Sequence, residues 1–460
     1  VKLMSELEQP TTTRPEPFGI SLSGGGFRAT LFHLGAIRLL YDAGLLSKVK
    51  FISGVSGGGI LAAHLALNWP RYTGTQDKFE AAAMEIVRFT QKDVRNRILR
   101  RWLLGWLALW PRILFKWSRV ELLRREYHSL YGMRTFSEFP NVYKGNGPRV
   151  TLQCTNLATG LPCSFGRSGL MLYKEQAEGR GIKLDKDKEL TYATELHGKH
   201  SGHRSGKAAI SVAHGVAASS AFPPMFPPLK IDSTLLDCSK ESLPSQLYLS
   251  DGGVFDNLGM DRPLWWYRQQ HDDAMDQIKN FLIIDAEGPF NQVVGKPWRY
   301  KFILPRNIRA TEVLMKRSST LNWQFLSGLT NFTLVRVPES LVKSASPTEL
   351  ELAQAIRTDL DRFSNLEIEV LTQSGYVSAR SALQKMKWIA GNLSSEVWCP
   401  VPKANLTSEQ RNKKLLRARF KRWTPLFLGL RDWVWWLLFA ILCASAFLLY
   451  LHAPLSFTFL

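Results

Sequence analysis

Between Phe18 and Trp69 the sequence twice passes from a short apolar run through a glycine cluster into a helical pattern. Phe18 to Ser23 reads as a buried strand, Arg28 to Ala43 as a helix, Val49 to Val55 as a second strand and Gly59 to Trp69 as a second helix. Such a β-α-β-α opening predicts an α/β fold with a largely parallel sheet covered by helices, because parallel neighbours need a crossover and the helix supplies it. Further strands are expected at Arg149 to Thr155, Gln246 to Ser250, Phe281 to Asp285 and Phe332 to Val337. Ser346-Pro347-Thr348-Glu349 has the form of a capping box with proline at the first helical position, and predicts a helix through about Phe363. The segment 176–207, rich in Gly, Lys, Asp and His, reads as a polar surface insertion or lid.

With 460 residues, 45% of them hydrophobic, the chain is a folded protein with room for a large core, which excludes a linker or a low-complexity tail. Its 59 Lys and Arg against 39 Asp and Glu leave a net charge of +20, which calls for an anionic partner surface. No nucleic-acid module is recognisable, whereas 15 Trp and 25 Phe, several beside Arg or Lys, suit a lipid interface. Cys154, Cys163, Cys238, Cys399 and Cys443 are scattered without metal-ligand spacing and read as free thiols in a reducing compartment. No metal and no cofactor is expected. The flank 1–16 is polar and lacks an apolar run, so it does not read as a secretory signal.

Two stretches point to a membrane. Arg88 to Arg125 holds eleven Lys or Arg and two acids, interleaved with Trp102, Trp106, Trp110 and Trp117. A helix aligns the first three Trp on one face until Pro111, which predicts a basic, Trp-bearing helix at the headgroup level. Trp433 to Leu451 runs nineteen residues without a charge, and at about 1.5 Å per residue reads as a transmembrane helix. The preceding 386–432 is a basic juxtamembrane linker, and 452–460 is a short tail. The positive-inside rule then predicts a single-pass C-terminal anchor with the bulk of the chain on the cytoplasmic side.

Three glycine-rich turns carry the candidate chemistry. Gly54-Val55-Ser56-Gly57-Gly58 fits G-x-S-x-G where a predicted strand meets a predicted helix, the setting of a nucleophile elbow. Ser23-Gly24-Gly25-Gly26-Phe27-Arg28 also joins strand to helix, and consecutive glycines let backbone N–H groups converge on one point, as an oxyanion hole or a phosphate nest requires. Asp251-Gly252-Gly253 follows a strand-like run and can turn a carboxylate toward a neighbouring strand's serine. None of the nine histidines is a convincing base: His33, His64 and His214 lie in apolar helical stretches, His271 in a charged run and His452 near the C-terminus. A serine–aspartate dyad remains.

These three motifs, in this order and on these elements, resemble the patatin-like phospholipases, as does Ala218-Ser219-Ser220-Ala221-Phe222-Pro223-Pro224. The resemblance covers about Pro17 to Leu383 and sets a domain at 17–385, with the basic Trp segment as an insertion. It implies a three-layer α/β fold and acyl-ester hydrolysis, with Ser56 as nucleophile and Asp251 as base. It also implies an oxyanion hole around Gly24, Gly25, Gly26 and Phe27, supported by Arg28, Gly54, Gly57, Gly58, Gly252 and Gly253. Arg28 either steadies the loop or meets a lipid phosphate, and Asp285, at another strand end, is read as structural. The expected substrate and surface is membrane phospholipid or lysophospholipid, anionic in character. A neutral-lipid esterase or acyltransferase with the same dyad, and a catalytically silent membrane scaffold, are the alternatives.

Overall fold

The computed structural model describes residues 17–108, 118–173, 192–196, 210–232, 235, 246–261, 263–264, 278, 280–288, 298–327, 332–336, 349–389, 397–420 and 433–452. One ten-stranded sheet organises them: β1 (Phe18–Leu22), β2 (Val49–Val55), β3 (Arg149–Asn156), β4 (Leu161–Gly166), β5 (Gly169–Tyr173), β6 (Tyr192–Leu196), β7 (Leu229–Ile231), β8 (Leu247–Asp251), β9 (Asn280–Asp285) and β10 (Phe332–Arg336). The order is β10-β9-β1-β2-β3-β4-β5-β6, parallel from β10 through β3 and antiparallel beyond. The helices are α1 (Gly26–Asp42), α2 (Gly57–Leu67), α3 (Trp69–Tyr72), α4 (Gln76–Thr90), α5 (Val94–Ala108), α6 (Arg119–Tyr131), α7 (Val212–Ser219), α8 (Trp298–Lys301), α9 (Ile303–Ser327), α10 (Glu349–Gln354), α11 (Asn365–Lys385), α12 (Ser408–Arg417) and α13 (Trp433–His452).

The parallel strands are apolar on both faces, as strands buried on both sides must be. Ile52, Leu282 and Ile284 join the larger core under α1, α2 and α11, while Phe51, Phe281 and Ile283 point the other way into a smaller core with Leu258, Met260 and Leu326. The sheet is thus covered on both faces, with α9 contributing Leu326 to the second side. Serines anchor a loop across that face: Ser21 Oγ donates to the Leu258 carbonyl at 2.5 Å and Ser53 Oγ to the Gly259 carbonyl at 2.6 Å.

The two longest buried helices cross at glycines. A side chain on Gly35 of α1 would overlap the Thr372 carbonyl of α11, and one on Gly375 would overlap the Phe32 carbonyl of α1. Gly35→Val or Gly375→Val must therefore push the helices apart, at a cost of about 1–3 kcal/mol or more for overpacking. A lowered midpoint in thermal unfolding is the expected result.

Several sequence expectations need correction. The predicted helix from Ser346 to Phe363 is described only as α10, and Ala355 to Phe363 is an irregular, largely buried segment rather than a helix. Most of the 176–207 insertion lies outside the described residues, yet its part 192–196 is an edge strand, β6. The basic segment is not one membrane-facing helix, because its cations are largely consumed by acids of the fold. Arg95, 1% exposed, pairs with Asp359 and lies 3.8 Å from Asp361; Arg97 and Arg101 reach Glu126 at 3.1 and 2.9 Å; Arg100, also buried, lies 3.8 Å from Asp93. Trp102 is half-buried with the Arg119 guanidinium 5.3 Å over its ring, while the Trp106, Trp110 and Trp117 side chains lie outside the described residues.

The expected transmembrane helix is not found: among the described residues no helix is long and apolar enough to cross a membrane. α13 forms over the expected segment and packs against α5. Its side chains Trp436, Phe439, Leu442 and Phe447 are apolar and exposed. Cys154, Cys163, Cys399 and Cys443 are free thiols, as expected, and Cys238 lies outside the described residues.

Candidate active site

Strand β3 brings the serine and the aspartate together. One of its edges pairs along its length with β4. The other is shared: β2 occupies it up to Val55 opposite Gln153, and β8, running in the reverse direction, occupies it from Asp251 opposite Cys154. The C-terminal ends of β2 and β8 therefore meet head to head at adjacent residues of β3, which places Ser56 and Asp251 on either side of one junction.

Ser56 sits on the turn from β2 into α2 with φ of 50° and ψ of −116°, a conformation that costs a non-glycine residue on the order of 1–3 kcal/mol. The turn is held by packing and by one hydrogen-bond relay. The Ser56 amide donates to Ser219 Oγ at 3.0 Å, and Ser219 Oγ donates to the Gln153 carbonyl at 2.6 Å. Gly57 and Gly58 abut the carbonyls of Gly26 and Leu22 so closely that any side chain there would collide with backbone. Ser219 belongs to the small-residue helix end singled out in the sequence, and the structure gives that motif this positioning contact.

Asp251 is 2% exposed. Burial pushes its carboxyl up to about 7, partly offset by the Gly253 amide, which donates to Oδ1 at 2.8 Å, and by the Ser56 hydroxyl. The two glycines after it are sterically required: a Cβ on Gly252 would meet the Gln153 carbonyl at 2.5 Å, and one on Gly253 would meet Asn257 Oδ1 at 2.6 Å.

The glycine-rich loop lines the same cavity. Gly25 and Gly26 have φ of 142° and 57°, and Gly25 is the N-cap of α1, so the positive end of that helix borders the cavity that Ser56 lines. Two expected donors are already used. The Phe27 amide donates to the Asp359 carbonyl and the Gly24 amide to the Asn257 carbonyl, each at 3.0 Å, which leaves Gly25 and Gly26 as the amides suited to an oxyanion. Arg28 steadies the loop. It is buried, its guanidinium donates to the carbonyls of Ala286 at 2.7 Å and Ile356 at 3.3 Å, and burial lowers it to about 10 despite Glu287 and Asp285 nearby. It clamps the loop between β9 and the 354–359 segment.

The cavity measures about 730 Å³. Phe222, Met225, Phe226, Ile308 and Met315 form an apolar side able to hold an acyl chain, and Ser56, Asp251 and the glycines form the reacting end. The histidines stand elsewhere. His33 is buried against the Ser23 carbonyl at 3.0 Å and His64 lies between Tyr72 and Glu85; His214 caps its own helix through Ser211. Burial lowers the pKa of all three. His271 lies outside the described residues, as does the His452 side chain. Asp285 accepts the Glu287 amide at 2.9 Å at the end of β9, in keeping with a structural role.

Asn257 and Asp359 are the site residues that sequence reasoning missed. Asn257 receives the Gly24 amide and donates Nδ2 to Glu287 at 2.6 Å. Its signal was present in Asp256-Asn257-Leu258-Gly259: the Asp256 carboxylate accepts the Leu258 and Met260 amides at 3.0 and 2.6 Å, a side-chain-directed turn. Asp359 acts through its backbone and left no comparable signal.

The patatin-like phospholipase profile matches residues 20–264, which contain all three glycine-rich motifs. No curated protein sequence matches the chain. Among solved structures, VipD from Legionella pneumophila aligns at 14% identity and a TM-score of 0.34 over 84% of this chain and 72% of its own. Human GIVD cytosolic phospholipase A2 aligns at 16% identity and a TM-score of 0.41 over 81% of this chain and 62% of its own, so the chain spans under two thirds of that enzyme. The type III effector ExoU aligns at 13% identity and a TM-score of 0.30, over 82% of this chain and 54% of its own. The profile match over more than half of the chain, on a sheet with a parallel centre, settles the relationship: this protein belongs to the patatin-like phospholipase family and is a lipid ester hydrolase.

Proposed function

We propose that the protein cleaves fatty-acyl esters of phospholipids or lysophospholipids at a membrane, through a Ser56–Asp251 dyad. The observation that carries this reading is the junction on β3, where a strained serine and a buried aspartate that holds its proton up to about pH 7 share one acyl-sized cavity. Ser56 Oγ attacks the ester carbonyl as its proton passes to Asp251. The Gly25 and Gly26 amides receive the oxyanion, each such donor being worth about 10²–10³ in rate. Asp251 then returns the proton to the leaving alkoxide, and water, deprotonated by Asp251, releases the fatty acid and regenerates Ser56. A carboxylate of ordinary acidity is a poor base for a serine hydroxyl, and desolvation narrows that gap.

The test is reaction with a serine-directed fluorophosphonate, followed by lipid analysis of phospholipid and triacylglycerol vesicles exposed to the protein. Labelling of Ser56 with fatty acid released from the phospholipid vesicles is the expected result. Release from triacylglycerol alone would make it a neutral-lipid esterase, and no labelling would make it a silent scaffold.

Attachment to the membrane through α13, with the catalytic domain on the cytoplasmic side, is part of the same proposal. Its support is the exposed apolar surface of Trp436, Phe439, Leu442 and Phe447, which water penalises and lipid accommodates. A form ending near Arg422 is expected to bind phospholipid vesicles more weakly than the full chain does. Equal binding of both would place the attachment elsewhere.

A further inference from the structure

α9 has two sides of different chemistry. At 3.6 residues per turn, Ile308, Glu312 and Met315 fall on one side, and all three line the cavity that holds Ser56. The same side continues into buried Ser319 and Leu326. Ser318, Ser319 and Asn322 pin this half of the helix, donating to the Phe255 carbonyl at 3.0 Å, to Glu287 at 2.5 Å and to Asp256 at 3.0 Å.

The opposite side carries Ile303, Leu314, Leu321 and Phe325, successive members being eleven, seven and four residues apart, each close to a whole number of turns. They are 68%, 67%, 52% and 47% exposed, so four large apolar side chains stand in water in one line about 33 Å long. Arg306 and Arg317 run along one edge of this line, exposed and without a carboxylate partner among the described residues. The acid of this helix, Glu312, lies on the inner side and pairs with Arg309 at 3.0 Å.

We propose that the outer row of α9 is a docking face for an anionic bilayer, which seats the catalytic cavity against the headgroup–acyl boundary. The proposal rests on the reading of that cavity as an acyl-ester site and names the surface that supplies it. Apolar residues on one side with cations at the edge are the composition of a helix lying in a membrane interface. A second copy of the chain fits less well, because it would bring Arg306 and Arg317 of two molecules, each of net charge +20, against one another. The helix is also the wall of the cavity, so Met315 on the inner side and Leu314 on the outer are separated by no more than the helix's own width, about 10 Å. An ester lifted from the lipid surface has only that distance to travel.

The experiment uses the full chain with a soluble short-chain ester, and with vesicles of phosphatidylcholine alone or mixed with phosphatidylglycerol. Leu314→Gln with Leu321→Gln alters two exposed positions outside the cavity. This pair is expected to leave soluble-ester turnover unchanged and to lower hydrolysis of the mixed vesicles by at least about tenfold. Arg306→Gln with Arg317→Gln is expected to remove the preference for phosphatidylglycerol. An environment-sensitive fluorophore on Leu314→Cys, with Cys238, Cys399 and Cys443 replaced by serine, should move into an apolar medium when mixed vesicles are added, whereas one on Thr320→Cys should not. Parent-like vesicle hydrolysis by the leucine pair overturns the proposal, as does an equal loss on the soluble ester. So does a parent dimer that the leucine pair dissociates, since the row would then belong to a second copy. A parent that cleaves no ester yet buries the fluorophore at 314 refutes the proposed activity and leaves the docking face standing.

Discussion

Asp251→Asn is expected to lower kcat/KM for ester hydrolysis by at least about 10⁴-fold, and Ser56→Ala by a similar factor, because nucleophile and base act as a unit. The double variant should be no worse than either single one. His33, His64 and His214 substitutions that leave the protein folded should spare the chemical step, since each ring is held by groups away from Ser56. One such variant as inactive as Ser56→Ala would refute the dyad. The acid limb of the kcat/KM profile follows from the same residue. The base must be ionised, and burial pushes its carboxyl up to about 7, so activity should fall about tenfold per pH unit below that value.

Stability should move in the opposite direction. The folded protein holds the Asp251 proton more tightly than the unfolded chain does, so this group's contribution to folding becomes less favourable as pH rises from the ordinary carboxylate range through about 7. Asp251→Asn removes that penalty. The inactive variant is expected to unfold at a higher temperature than the parent at pH 8, with the difference shrinking toward pH 4.

Arg357→Met is expected to destabilise the fold by about 3–5 kcal/mol, the range for removing one member of a buried ion cluster. Arg357 Nε donates to both Asp361 oxygens at 2.8 Å, its guanidinium also reaches Glu367, and it stacks 4.6 Å from the Phe363 ring. Its side chain and those of both acids are at most 2% exposed, so deletion leaves two carboxylates buried without their principal partner. Calorimetry and the yield of folded protein test this. Arg357→Lys should recover little, because an ammonium cannot reproduce the paired geometry of the guanidinium. The segment held by this cluster includes Asp359, whose carbonyl fixes Phe27, so folded survivors should also turn over more slowly.

The parallel half of the sheet and all three glycine-rich turns were legible because each depends on neighbours in sequence. β2 occupies the residues expected of it, and α1 and α2 begin two residues early, at the glycines of their turns. β4 and β5 were not anticipated, although Gly166-Arg167-Ser168-Gly169 is a two-residue hairpin connection in plain sight. α11 was missed despite its capping box, in which Glu367 accepts the Ser364 amide at 2.7 Å. The basic helix was misjudged for a different reason: charge counting cannot see that Glu126 and Asp359 come from elsewhere in the chain to neutralise it. The same blindness hid Asp359 as a builder of the glycine loop, since a backbone carbonyl has no residue-type signature.

The placement of β1 has a consequence for how the protein is made. It lies between β2 and β9, and the loop after it is completed by Asn257, Ala286, Ile356 and Asp359. During synthesis at roughly 5–20 residues per second, Asp359 is translated about 15 to 60 s after Ser56. β9 can cover the edge of β1 earlier, but until then the glycine-rich loop lacks the Ile356 and Asp359 carbonyls that hold Arg28 and Phe27. The nascent chain therefore carries Ser56 and Asp251 for some time before the loop beside them is fixed.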